Sequence, residues 1–252
     1  MIGPTNLSTN YECGLLIDGF HDPPQIMLTY NPSYYEKLFT NFGLKKAKDL
    51  FALDIALDYK IPEVFYKITE RIEKSHNVTW RYIDKKKWDQ EIEFIEQIYN
   101  ESWEKNWGFV PMSPSEFAKL AQDLRLIAEK KLVILIEVGG EPAAFAVGLL
   151  DYHQIIRKIK NGRLFPTGIF KLLFQKRSIN RNRILILGVR PKFRNLGLGP
   201  LMYLKLTLSS RELGLKRTEM SWILEDNLDM IKPMKKIGAE IYKTYRMFEK
   251  LF

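Results

Sequence analysis

The stretch that most constrains this chain runs from Gly188 to Gly199: Gly-Val-Arg-Pro-Lys-Phe-Arg-Asn-Leu-Gly-Leu-Gly. An apolar run, Ile184-Leu185-Ile186-Leu187, leads into it and reads as a buried strand. After it, Leu198, Leu201, Met202, Leu204 and Leu208 recur at helical spacing. A strand, a glycine turn and a helix in that order expose backbone N–H groups at a helix N-terminus. Those groups and the helix dipole hold anions such as a pyrophosphate. Arg190, Lys192 and Arg194 add positive charge at the same end.

The flanking sequence supplies further elements. Val78 to Ile83 reads as a strand. Trp88, Ile92, Ile95, Tyr99 and Trp103 recur along a helix. Ser113-Pro114-Ser115-Glu116 is a capping box with proline at the first helical position. It opens a helix with Phe117, Leu120, Leu124 and Ala128 on one face. Leu132 to Val138 and Ala143 to Leu149 are strands joined through Gly139-Gly140-Glu141, a hairpin signal. Arg183 to Val189 is the central strand, Gly197 to Leu213 its helix, and Lys216 to Trp222 the next strand. Asp226 or Asn227 caps a helix containing Pro233, and Ile241 to Glu249 closes the chain as a strand.

Arg194-Asn195-Leu196-Gly197-Leu198-Gly199 fits the pattern Arg/Gln-x-x-Gly-x-Gly/Ala after a strand ending in Gly-Val. It resembles the acetyl-CoA loop of the GNAT acyltransferase superfamily. The order strand, two helices, three strands, helix, strand, helix, strand over residues 78–252 is similar to that fold. The resemblance implies an α/β protein with a mixed central sheet and helices on both faces. It implies an acyl-CoA-dependent N-acyltransferase, with acetyl-CoA as donor and an amine as acceptor. N–H groups from Asn195 to Gly199 would hold the pyrophosphate, since Pro200 has none. Arg194 begins the pattern and could reach a phosphate, and the backbone of Leu187 and Val189 would pair with the pantetheine arm. Asn227 matches an asparagine that faces the cofactor in the family, and also reads as a plain helix cap. Where the family often has a tyrosine acid, seven residues on, this chain has Met234, which cannot donate a proton.

Acyl transfer to an amine needs a held donor, a neutral amine and a stabilised oxyanion. Glu219 and Glu225 are the candidate bases. Trp103, Trp107, Phe109 and Trp222 are the candidate acceptor lining, with ordinary core packing as the alternative for each. Asn106 to Pro111 and Ser221 to Asn227 also resemble stretches of bacterial members of the family. Two other functions stay open: a catalytically silent CoA-binding module, and a basic protein that binds nucleic acid or a membrane surface. Residues 152–211 carry 14 Lys or Arg and no Asp or Glu, and Gly162 to Ser178 could form a basic amphipathic segment. No nucleic-acid motif accompanies that charge, so no nucleic acid is expected as a partner.

Helix, glycine and Lys-rich strand occur twice, once up to Asp54 and once at the C-terminus. Residues 1–60 are therefore expected to resemble the C-terminal half of a second GNAT-like domain, or to be an extension. Residues 61–77 read as a linker helix, and 78–252 as the complete domain. The chain has 252 residues, a formal charge of +9, and 46% hydrophobic and 27% charged residues, an ordinary globular composition. Cys13 stands alone, so no intrachain disulfide forms, which fits a reducing cytoplasm. No run of about 18 apolar residues suggests a transmembrane helix, and the first six residues lack signal-peptide features. His21, His76 and His153 are scattered, so no metal is expected. A homodimer is allowed.

Overall fold

The computed structural model describes residues 1–75, 77–160, 162–163, 165 and 168–251. In chain order the strands are β1 (Ile2–Gly3), β2 (Leu15–Asp18), β3 (Lys45–Ala56), β4 (Val78–Tyr82), β5 (Ala128–Val138), β6 (Glu141–Leu150), β7 (Arg181–Val189), β8 (Arg217–Leu224) and β9 (Glu240–Glu249). The helices are α1 (Tyr35–Asn41), α2 (Glu63–Ser75), α3 (Trp88–Trp103), α4 (Pro114–Arg125), α5 (His153–Ile156), α6 (Ile169–Phe174), α7 (Leu198–Glu212) and α8 (Leu228–Lys236). They fall into two compact units. The first holds Met1–Ala56, Leu150–Arg183 and Arg217–Phe252; the second holds Leu57–Leu149 and Ile184–Lys216.

In the first unit β3 is the middle strand. It pairs antiparallel with β9 along one edge, from Lys45↔Glu249 to Asp54↔Glu240, and with β8 along the other, from Leu50↔Leu224 to Ala56↔Arg217. The far edge of β9 carries the short strands β1 and β2, also antiparallel. The starts of β7 and β8 lie together, where the Arg217 N–H donates to the Asn180 carbonyl at 3.3 Å. The strands of 217–252 are therefore joined through a strand drawn from the first 60 residues. Leu50, Ala52, Leu53 and Ile55 of β3 are all buried. The repeated helix, glycine and strand are present as α1, Gly43, β3 and α8, Gly238, β9. Both glycines sit at positive φ, 86° and 98°, where they end a helix without a Cβ penalty. Cys13 is buried against this sheet, and burial pushes its thiol up to about 12.

In the second unit β4, β5 and β6 form an antiparallel meander. The Arg190 N–H, just past β7, donates to the Ala143 carbonyl of β6 at 2.9 Å. Neighbouring residues of a strand point to opposite faces, and β4 shows where the helices lie. Arg81 pairs with Glu91 of α3, whereas the Tyr82 hydroxyl meets Ser209 of α7 at 2.9 Å. Trp80, two residues before Tyr82, lies under Lys205 of α7, 4.2 Å from ring centroid to Nζ. Helices thus cover both faces of this mixed α/β unit. Between α3, α4 and the strands β5 to β7 the core leaves an open-mouthed cavity of about 560 Å³, mouth included.

One local expectation is corrected. The helix expected to run to Ala128 stops at Arg125, and Ala128 opens β5, where pairing with Leu149 claims it for the sheet. Of the segment Gly162 to Ser178, Ile169–Phe174 form an α-helix and Lys176–Ser178 a 3-10 turn, while Leu164, Pro166 and Thr167 lie outside the described residues, as do His76 and Asn161. No described helix is long and apolar enough to cross a membrane.

Leu53 has no exposed surface at the centre of β3. Leu53→Ala is expected to lower the unfolding free energy by about 2–5 kcal/mol, read from the urea midpoint at unchanged slope.

Candidate functional site

The glycine turn is built as follows. After β7 and Arg190, Pro191–Leu196 form a 3-10 helix, Gly197 takes φ 75°, and α7 begins at Leu198. Only glycine adopts that left-handed φ without strain, and a Cβ there would stand 3.3 Å from Ile72 Cδ1. No side chain caps α7, so its first N–H groups have no side-chain acceptor. Gly199 differs from Gly197. Its φ is not positive, and a Cβ placed on it would meet nothing within 4 Å. Glycine in a helix costs about 1 kcal/mol against alanine, and packing within this chain does not require it here. An uncapped helix start with bare backbone beside it fits a phosphate anion.

The three cations of the turn are engaged. Arg190 grips Glu101 of α3 with two bonds of 2.9 Å and donates to the Pro142 carbonyl at 3.1 Å. Lys192 pairs with Glu141. Arg194 uses one of its five N–H donors on the Ser102 carbonyl, at 2.7 Å. These contacts tie the turn to the end of α3 and to the β5–β6 hairpin. Of the other expected cofactor residues, Leu187, Val189 and Leu196 are half-buried, Asn195 is exposed and Leu198 is buried.

Gly188 marks a close approach that sequence reading missed. A Cβ on it would lie 2.6 Å from the Trp103 ring and 2.9 Å from Phe145. Trp103 therefore lies against the backbone of β7, beside the residue that holds Arg194. It also packs on Tyr99 at 4.9 Å and Phe145 at 6.0 Å between ring centroids. Phe109 meets the same Tyr99 at 6.0 Å, and Trp107 is half-buried in the loop between α3 and α4. The structure thus brings Arg194, Trp103 and Phe109 into one neighbourhood of the second unit.

The candidate bases lie in the first unit. Glu219 and Arg183 both have no exposed surface and stand 3.8 Å apart. Ser221 and Tyr242 each donate a hydroxyl to the Glu219 carboxylate. Burial pushes the Glu219 carboxyl up, while Arg183 and the two hydroxyls hold it back. Burial pushes the Tyr242 hydroxyl up as well, with Glu219 adding to the effect, so Tyr242 keeps its proton. The Arg183 guanidinium donates to Ser221 at 2.9 Å, to the Ile26 and Met27 carbonyls at 2.8 Å each, and lies 4.9 Å from the Trp222 ring centroid. Trp222 also meets Tyr245 edge-on at 6.0 Å. Glu225 is occupied otherwise: it pairs with Lys46 at 2.6 Å and accepts the Asp49 N–H at 3.1 Å. Asn227 caps α8, its Oδ1 accepting from Met230 N–H at 3.3 Å. Met234 is buried in the same helix. Arg183, Ser221 and Tyr242 went unnoticed as partners of Glu219. The i, i+2 spacing of Glu219 and Ser221 on one strand face was the available signal.

Gly188→Ala must displace the Trp103 ring; overpacking of this kind costs about 1–3 kcal/mol, expected as a lower urea midpoint together with a shifted tryptophan emission. Glu219→Ala leaves the Arg183 charge buried without its carboxylate, and about 3–5 kcal/mol is expected to be lost. The pH dependence has a definite sign. A carboxyl raised in the folded state stabilises fully below its ordinary value of 4.5. That contribution is lost as pH rises through the higher folded value. The stability of the parent relative to Glu219→Gln should therefore decline from about pH 4.5 upward.

The chain is similar to known proteins. The pattern of the acetyltransferase (GNAT) family matches residues 92–239. The chain is 35% identical over 255 residues to bacterial ceramide synthase of Caulobacter vibrioides (strain NA1000 / CB15N), covering 99% of this chain and 66% of that protein. It is 34% identical over 255 residues to protein YghO of Escherichia coli (strain K12), covering 98% and 65%. The chain thus spans about two thirds of the length of these relatives. Among solved structures, a GCN5-related N-acetyltransferase from Sphaerobacter thermophilus superposes with a TM-score of 0.54 at 14% identity, over 90% of this chain and 57% of that one. That likeness concerns the fold, and the family match and the relatives carry the assignment: the chain belongs to the acetyltransferase (GNAT) family.

Proposed function

We propose that this chain holds an acyl-CoA at the turn between β7 and α7 and transfers its acyl group to an amine. The observation that carries this reading is the start of α7. Its N–H groups have no side-chain cap, and Gly199 presents bare backbone that no neighbour in the chain requires. Backbone N–H groups of Asn195, Leu196, Gly197, Leu198 and Gly199 are the pyrophosphate donors, supported by free N–H groups of Arg194. The backbone of Leu187 and Val189 is the strand edge offered to the pantetheine arm, and Asn227 keeps its capping role beside any contact with the donor. Trp103, Trp107 and Phe109 border the acceptor.

Amide formation joins the amine nitrogen to the thioester carbon, releases the thiol, and moves one proton from nitrogen to sulfur. Glu219 has no surface of its own, so it acts on a proton only through Ser221 or the half-buried Tyr242. Glu225, already shared between Lys46 and Asp49, is the weaker candidate. Acetyl is the acyl group that the turn's resemblance implied. The relative named ceramide synthase supports a longer chain, since a ceramide is an amide of a fatty acid and a long-chain amino alcohol. A second reading, a CoA-binding module without turnover, is favoured by Met234, an apolar buried residue where the family often has its acid.

Thermal melts with CoA and acetyl-CoA test the reading. A ligand at 100 times its Kd stabilises by about 2.7 kcal/mol, expected for the parent and absent in Gly197→Glu. Gly199→Ala should be more stable than the parent without ligand, by roughly 0.5–1 kcal/mol, and should lose most of the ligand-induced gain. A well-folded parent that neither CoA nor acetyl-CoA stabilises would sink the reading. Thiol release with a panel of amines then separates an enzyme from a silent binder.

A further inference from the structure

The cavity of the second unit is lined by α3 and α4 on one side and by β5, β6 and β7 on the other. It opens to solvent, and the space among these residues is about 560 Å³ with the mouth included. Its lining is unusual for a small-molecule site. No charged side chain takes part, and Tyr99 and Trp88 carry the only side-chain polar atoms. A head group, a sugar or a phosphate would find no partner there, and burying it unpartnered is costly. Hydrocarbon is the chemistry the cavity accepts.

Its position narrows the occupant further. Ile186 lines the cavity and stands two residues before Gly188 on the strand that feeds the glycine turn. Phe145 lines it too, and is a neighbour of Gly188 and Trp103. The cavity therefore abuts the strand and the tryptophan already assigned to the donor and acceptor. We propose that this cavity is the binding site for a single long aliphatic chain belonging to one of the two substrates. The proposal rests on the acyl-transfer reading above. The chain comes either from the fatty acyl group of the donor or from a lipid-like amine, and both sources present the same hydrocarbon.

The test uses the whole chain and two ligand series. One is CoA and its thioesters from two to sixteen carbons. The other is straight-chain primary amines of the same lengths, without CoA. Each methylene taken up is expected to tighten binding about fourfold, equivalent to ~0.8 kcal/mol. Ala121→Phe and Val147→Phe each place a ring in the cavity. They should weaken the sixteen-carbon ligand by about 100-fold, the contribution of three to four methylenes. Affinity for CoA and acetyl-CoA should change less than threefold. Length dependence in the thioesters alone identifies the donor chain, and in the amines alone the acceptor chain; both support the proposal. Should a ring variant fail to fold, a chain brominated at its end, added to the parent, reports independently. It should quench tryptophan emission, and Trp88→Phe should remove the quenched component. Parent affinity that is flat with length in both series overturns the proposal, as does length dependence that ignores both rings and spares Trp88. Binding of CoA together with flat length dependence would leave the acyl-transfer reading standing and remove only the cavity. Chain binding without any CoA binding would do the reverse.

Discussion

The first unit depends on how it keeps a guanidinium buried. Arg183 has no exposed surface, and an unpaired charge in such a place would cost several kcal/mol. Its compensation is distributed over the chain. Glu219 supplies the opposite charge from β8, Ser221 an acceptor, and Ile26 and Met27 two backbone carbonyls from the N-terminal region. Lys243 on β9 repeats the arrangement with the Gly19 and Asp22 carbonyls. Arg181 is held by Asp22 and Asp54 at 3.2 and 3.0 Å. Residues 19–27, irregular for the most part, thereby serve as solvent for three cations on the two strands β7 and β9. Residues 45–56 fill the gap between β8 and β9 in the same unit. Residues Met1–Ala56 are thus an integral layer of this unit, in charge as well as in hydrogen bonding.

In the second unit the cations act differently. Arg190, Lys192 and Arg194 sit at the rim, where exposed pairs contribute little to stability. Their effect is geometric. Each reaches a different anchor, Glu101, Glu141 and the Ser102 carbonyl, so the 3-10 turn is pinned to the end of α3 and to the hairpin. The same end of α3 lays Trp103 over Gly188. For the role proposed above, a turn that offers its N–H groups to an anion must hold them still before the anion arrives, and these contacts would supply that preorganisation.

Much of this was legible in the sequence for a local reason. The Ser113 capping box, the Gly139-Gly140 hairpin, the periodic apolar face of α3 and the strand–glycine–helix of the turn are short-range signals, and each element formed. The end of α4 was misjudged because Ala128 is equally at home in a helix, and only pairing with Leu149, far along the chain, decides for the sheet. The place of β3 between β8 and β9 is a long-range pairing, on which propensity is silent. The candidate site divides in the same way. The turn's residues could be read directly, whereas the burial of Glu219 against Arg183, the approach of Trp103 to Gly188 and the cavity arise from tertiary packing among distant segments.

The places where the second unit breaks local rules lie close together on the chain and in its fold. Gly199 weakens the first turn of α7 without serving packing. Leu185, Ile186 and Leu187 of the central strand are only half-buried although every one is apolar. A core that elsewhere buries Leu132 to Ile136 almost completely leaves a cavity beside them. Each feature costs stability: a glycine in a helix about 1 kcal/mol, and a void in proportion to its volume. Sequences that are otherwise locally consistent carry such departures at functional sites. Three departures thus lie along β7 and the start of α7, one polar in what it offers and two apolar. Under the proposals above, a fatty acyl thioester of CoA would present an anion to the helix start and hydrocarbon to the cavity in a single molecule, whereas a lipid-like amine would fill the cavity alone.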